Sequence, residues 1–96
     1  MYFYTTKNEV MKKVIKIMGV GSSRDQELIQ SVQMAAREMG LPIDIQLVSD
    51  LNAFLQSGIT AIPAMMIEGE VVANGRIPGV VEIKSMLSDH QATAYP

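Results

Sequence analysis

The spacing of hydrophobic and polar positions changes several times along the chain, and each change marks an element. Val14-Ile15-Lys16-Ile17-Met18 is an apolar alternating run that reads as a first strand. Gly19-Val20-Gly21-Ser22-Ser23 then breaks the pattern. From about Arg24 to Met39, Leu28, Ile29, Val32, Ala35, Ala36 and Met39 return at i, i+1, i+4, i+7, i+8 and i+11, which is one helical stripe. Gln30, Ser31, Gln33, Arg37 and Glu38 take the other face, and Gly40 with Pro42 stops the helix. Met34 and Met39 read as core filler.

Ile43-Asp44-Ile45-Gln46-Leu47-Val48 alternates with period two and predicts a second strand. Strand, helix and strand joined this way form a right-handed crossover with parallel strands. Ser49 or Asp50 caps a short helix from Leu51 to about Ser57, closed by Gly58. Beyond Ile59-Thr60-Ala61-Ile62-Pro63, the runs Ala64-Met65-Met66-Ile67 and Val71-Val72-Ala73 flank Glu68-Gly69-Glu70 and predict a hairpin. Met65 and Met66 point to opposite faces, so at least one belongs to the core. Asn74-Gly75 makes another turn. Pro78 or Gly79 opens a last helix, with Val80, Ile83, Met86 and Leu87 as its buried stripe. The predicted order is β-α-β-α-β-β-α, an α/β domain with a four-stranded mixed sheet flanked by helices. Residues 1–11 read as an N-terminal extension, 12–88 as the domain and 89–96 as a flexible polar tail.

Composition narrows the function classes. A chain of 96 residues, 48% of them hydrophobic, supports one compact domain with a real core. The net charge of −2, with no basic cluster, argues against nucleic acid as a partner. No apolar run approaches the roughly 18 residues of a membrane span. Met1-Tyr2-Phe3-Tyr4-Thr5-Thr6-Lys7 has no charged leader before an apolar region, so a cytoplasmic protein is expected. The chain has no cysteine, which excludes disulfides, thiolate metal ligands and thiol chemistry of its own.

The junction after Met18 is a strand, a glycine loop and a helix start, where orphan helix N–H groups converge. Ser22 and Ser23 are both N-cap candidates, and Ser23 with Gln26 reads as a capping box. Ser22 as a nucleophile needs a base within reach, and the one histidine, His90, falls in the predicted tail. Asp25 reads as an acid that complements the helix dipole, worth roughly 0.3–1 kcal/mol. It has no companion His or second acid for a metal site. Gly19-x-Gly21 lacks the third glycine of a dinucleotide loop, since Arg24 stands there, and no Gly-Lys-Ser/Thr follows. No cofactor or metal is expected.

With these motifs in place, the chain resembles the thioredoxin/glutaredoxin fold over residues 12–88, and most closely the small redox-active disulfide protein 2 family. Those proteins have Gly-x-Gly-Cys-x-x-Cys opening the first helix; here Gly19-Val20-Gly21 matches the glycines and Ser22-Ser23-Arg24-Asp25 replaces Cys-x-x-Cys. Gly58-Ile59-Thr60-Ala61-Ile62-Pro63 matches their Gly-hydrophobic-Thr-x-x-Pro segment. Glu68-Gly69-Glu70 and Gly75-Arg76 match the hairpin turn and the Gly-Arg before the last helix. The resemblance implies a cis peptide before Pro63, facing the Ser22 loop. It also implies a groove that pairs with an extended segment or with glutathione.

The reaction is withdrawn by the same comparison. Ser22 stands at the attacking position and Asp25 at the resolving one, and neither side chain enters thiol–disulfide exchange. The expected function is a redox-inactive binding module. Its groove would comprise Gly21, Ser22, Ser23, Arg24, Asp25, Thr60, Ile62 and Pro63, and its ligand would be a peptide or a glutathione-like molecule. Arg24 and Arg76 would assist with a ligand carboxylate, against a plainer role as solvated charges. Thr60 would donate to the Ser22 loop, against a plainer role as a turn hydroxyl. The rival reading is a disulfide oxidoreductase of this family despite the missing cysteines. A third is a structural homodimer formed through Tyr2, Phe3 and Tyr4 or a sheet edge.

Overall fold

A computed structural model describes the backbone of residues 12–92 and side chains through residue 89. The predicted extension at 1–11, with its three aromatic residues, lies outside the described residues, as do residues 93–96. The elements are β1 (Lys13–Met18), α1 (Ser23–Met39), β2 (Ile43–Val48), α2 (Leu51–Gln56), β3 (Ala64–Ile67), β4 (Glu70–Asn74) and α3 (Val80–Ala92). The sheet order is β2-β1-β3-β4. β1 is parallel to β2 and antiparallel to β3, and β3 pairs antiparallel with β4. This is the predicted four-stranded mixed sheet and the predicted order of elements.

The register decides where the site falls. Met18, the last residue of β1, pairs with Val48 on one side and with Ala64, the first residue of β3, on the other. The loop leaving Met18 and the segment ending at Pro63 therefore meet at one end of the sheet. The hairpin turn at the opposite end has positive φ at both central residues, Glu68 (+51°) and Gly69 (+89°). That backbone matches the twist of the flanking strands. Glu68 also takes the Val14 N–H on its carboxylate at 2.7 Å.

Two apolar clusters cover the two sheet faces. Ile15, Ile17, Met65, Ile67 and Ala73 pack with Leu28, Val32 and Ala35 of α1 and with Ile83 and Leu87 of α3. Met18, Ile59, Ala64 and Met66 form the second cluster, with Val48, Phe54, Ile62 and Val71 against it. Consecutive strand residues point to opposite faces, so Met65 and Met66 enter different clusters and both are buried. Each large apolar side chain fully buried in this way contributes roughly 1.5–3 kcal/mol.

Several boundaries differ from the sequence pattern. α1 starts at Ser23, and α2 ends at Gln56 with Ser57 as its cap. Met34 is 48% exposed rather than core filler, because it falls off the Leu28–Val32–Ala35 stripe. α3 runs through Ala92, past the point where the tail was expected to begin at Asp89. Ser88 to Ala92 contain no glycine or proline, so the backbone ladder continues after the apolar stripe ends. Among the described residues, no helix is long and apolar enough to cross a membrane.

Candidate functional site

One wall of the site is the loop from Gly19 to Asp25. Ser22 is extended (φ −74°, ψ 172°) and is the N-cap of α1; its hydroxyl accepts from the Asp25 N–H at 3.4 Å. In return one carboxylate oxygen of Asp25, Oδ2, accepts three backbone N–H groups. These come from Val20 at 2.8 Å, Gly21 at 2.7 Å and Ser22 at 2.9 Å. The capping box is therefore Ser22 with Asp25, not Ser23 with Gln26. Ser23 is already helical, so it cannot supply the extended cap residue.

Asp25 lies in the first turn of α1, as the sequence suggested, but it does more than complement the helix dipole. It is the one buried charged residue among those described, with no exposed surface. Burial pushes its carboxyl group up. The N–H groups of Ser22, Val20 and Gly21 and the Ser22 side chain outweigh that and hold it below the ordinary carboxylate value. The group is ionised at neutral pH. Its second oxygen, Oδ1, is buried without a hydrogen-bond partner among the described residues. Gly19 lies hard against this carboxylate: a Cβ there would clash with the Asp25 Cγ and both carboxylate oxygens. The loop is tied to β2 by the Gly19 N–H on the Val48 carbonyl (3.1 Å) and by the Ser49 hydroxyl donating to the Gly19 carbonyl (2.6 Å).

The facing wall is the segment Thr60–Pro63. The Ile62–Pro63 peptide bond is cis. Asn74, at the end of β4, accepts the N–H groups of Thr60 and Ala61 on Oδ1 at 3.3 and 3.2 Å. Its amide nitrogen donates to the Thr60 hydroxyl at 3.1 Å. The Gly75 N–H donates to the Pro63 carbonyl at 2.9 Å. Thr60 is thus engaged with Asn74 as a turn residue. Pro63 is fully buried, so the exposed face of this wall belongs to Thr60, Ala61 and half-buried Ile62.

Beside Ile62 lies an apolar hollow of about 490 Å³ lined by Leu51, Phe54, Leu55, Ile59, Thr60, Ala61 and Ile62. Leu51 and Leu55 are 69% and 66% exposed at its rim. Ile62 packs on the cluster that contains Met18, which links the hollow to the base of the loop. Val20, 65% exposed, with Gly21, Ser22, Ser23 and Arg24, forms the outer surface of the loop.

The register places Gly21 to Asp25 and Ile62-Pro63 at one end of the sheet, and burial removes two of them, Asp25 and Pro63, from the exposed surface. Arg76 is held by Glu82 through two bonds of 3.0 and 2.6 Å, so its guanidinium does not face a ligand. That hydrogen bond holds Glu82 below its ordinary value and raises Arg76. Arg24 is exposed. No group of three or more His, Asp or Glu among the described residues is arranged to hold a metal. Sequence reasoning missed Asn74, which read only as a turn residue. It also missed the role of Gly19, for which the Ser22-x-x-Asp25 spacing was the available signal.

The fold and site together define a small α/β class: a glycine loop opening the first helix, set opposite a cis-proline segment at one end of a mixed sheet. The profile of the thioredoxin-domain family matches residues 13–88, and the chain belongs to the thioredoxin family. It is similar to the thioredoxin of Methanothermobacter thermautotrophicus, 31% identical over 74 residues that cover 77% of this chain and 96% of that protein. It is also similar to the thioredoxin of Methanocaldococcus jannaschii, 30% identical over 77 residues, 80% of this chain and 88% of that one. Within that family this chain has no cysteine anywhere, which fits redox inactivity.

Proposed function

We propose that this protein is a redox-inactive thioredoxin-like binding module that takes an extended peptide segment in the groove between the Gly21–Arg24 surface and Ala61-Ile62. The observation that carries the reading is the apolar hollow at Leu51, Phe54, Leu55 and Ile59–Ile62, open beside the cis-proline segment. A hollow of this size, with large apolar side chains exposed at its rim, suits one apolar side chain of a partner. The neighbouring backbone suits pairing with an extended segment. Membership of the thioredoxin family and the absence of thiols support binding without exchange. A cytoplasmic location is part of the same proposal.

The test is a backbone amide NMR titration of the full chain with a blocked, uncharged, extended heptapeptide carrying a central leucine. Saturable shifts confined to Gly21–Arg24, Thr60–Ile62 and the hollow are expected. No shift at millimolar peptide would defeat the reading. Disulfide-reductase turnover by the purified chain would reverse its redox-inactive half.

A further inference from the structure

We infer that Asp25 sets the ligand class of this groove: its carboxylate fills the N–H cradle of the loop, so the groove excludes anions, thiolates included, and is left to uncharged segments with an apolar side chain. The inference rests on the binding reading above and specifies its ligand. Three loop N–H groups converge on one point, within 2.7–2.9 Å of a single oxygen. Convergent backbone donors at a helix start form a general anion-binding arrangement. Here all three are taken by a side chain of the same loop. Gly19 has no Cβ where the carboxylate lies, so the cradle is shaped around that group.

An incoming anion would find the three loop donors already occupied. Nor do the nearby cations compensate. Arg76 is paired with Glu82. Arg24 is an exposed, solvated charge on the outer surface. What the groove offers a ligand is the apolar hollow and neutral backbone. Glutathione, with two carboxylates and a thiol, fits that description poorly, and a neutral extended peptide fits it well.

The test uses sodium formate, a carboxylate without a side chain, and reduced glutathione. Both are titrated into the wild-type chain, Asp25→Ala and Asp25→Asn while the amides of Val20, Gly21 and Ser22 are followed. In the wild type neither probe should shift these amides saturably. Asp25→Ala should gain saturable formate binding there, tighter by at least roughly tenfold, the effect of uncovering one charge-assisted hydrogen bond. Asp25→Asn keeps an oxygen on the three donors and should stay closed. Its opening would show that charge and not occupancy excludes anions, and would overturn the inference. So would saturable wild-type shifts, or a folded Asp25→Ala chain that gains nothing.

If Asp25→Ala does not fold, the wild-type amides of Val20, Gly21 and Ser22 should titrate together with one acidic midpoint. Separate midpoints, or none, would overturn the assignment. A chain that excludes both anions but ignores the neutral heptapeptide overturns the binding reading and leaves the filled cradle standing. A chain that takes the peptide and glutathione alike overturns only the filled cradle.

Discussion

The two walls of the groove are held in opposite ways. The Gly19–Asp25 loop is organised around a buried full charge that belongs to the loop itself. The Thr60–Pro63 segment is held from outside, by the neutral amide of Asn74 on an adjacent strand. The first wall concentrates its polar satisfaction inward and shows solvent little that can bind. The second has its hydrogen bonds made by Asn74 at its exposed edge, and half-buried Ile62 lines the apolar hollow beside it.

Breaking the first wall should have the largest effect. Asp25→Ala removes the shared acceptor of three backbone donors and should lower stability by about 3 kcal/mol in urea denaturation. The same carboxylate predicts acid sensitivity. Its folded-state pKa lies below the unfolded value of about 3.9, so its contribution is fully present above that value and is lost as pH falls through the folded one. The urea midpoint of the wild type should therefore fall more steeply below pH 4 than that of Asp25→Asn. Glu82 shifts in the same direction but is exposed, so it adds little.

Gly19→Ala should cost about 2 kcal/mol through the clash of its Cβ with the Asp25 carboxylate. In the Asp25→Ala background most of that cost should vanish, so a double-mutant cycle measures the contact directly. A cost that is unchanged there would place the strain elsewhere. Asn74→Ala, on the second wall, should cost about 1–2 kcal/mol and speed amide exchange at Thr60 and Ala61. Asn74→Asp keeps the acceptor for those two N–H groups and should cost less. Smallest of all should be Arg76→Ala: both partners of that ion pair are about half exposed, so denaturation in high salt should scarcely distinguish the variant from wild type.

Much of this architecture was legible from apolar spacing. β2 runs from Ile43 to Val48, where the period-two pattern put it, and the Leu28–Val32–Ala35 stripe is the buried face of α1. Spacing reports which face is buried, so it served wherever burial by apolar packing was the cause. It failed where a polar group was buried by hydrogen bonding. Asp25 looks like any first-turn acid until the loop folds back over it, and two adjacent serines both fit a cap pattern, so periodicity could not choose between them. Asn74, at the end of β4, meets Thr60 in the segment ahead of β3, and nothing in the local sequence around either residue encodes that meeting. The exposed rim at Leu51 and Leu55 was hidden because a six-residue helix is too short for its stripe to be read.

The contacts of Asp25 also bear on the order in which the protein folds. Its three acceptances close loops of only three to five residues, whereas the Ser49 bond to the Gly19 carbonyl spans thirty. Short closures cost little chain entropy and form before distant ones. The Ser22–Asp25 start of α1 is thus suited to belong to the folding nucleus, with the Ser49 tie to Gly19 completed late. Substitutions at Asp25 should then slow folding, and those at Ser49 should mainly speed unfolding.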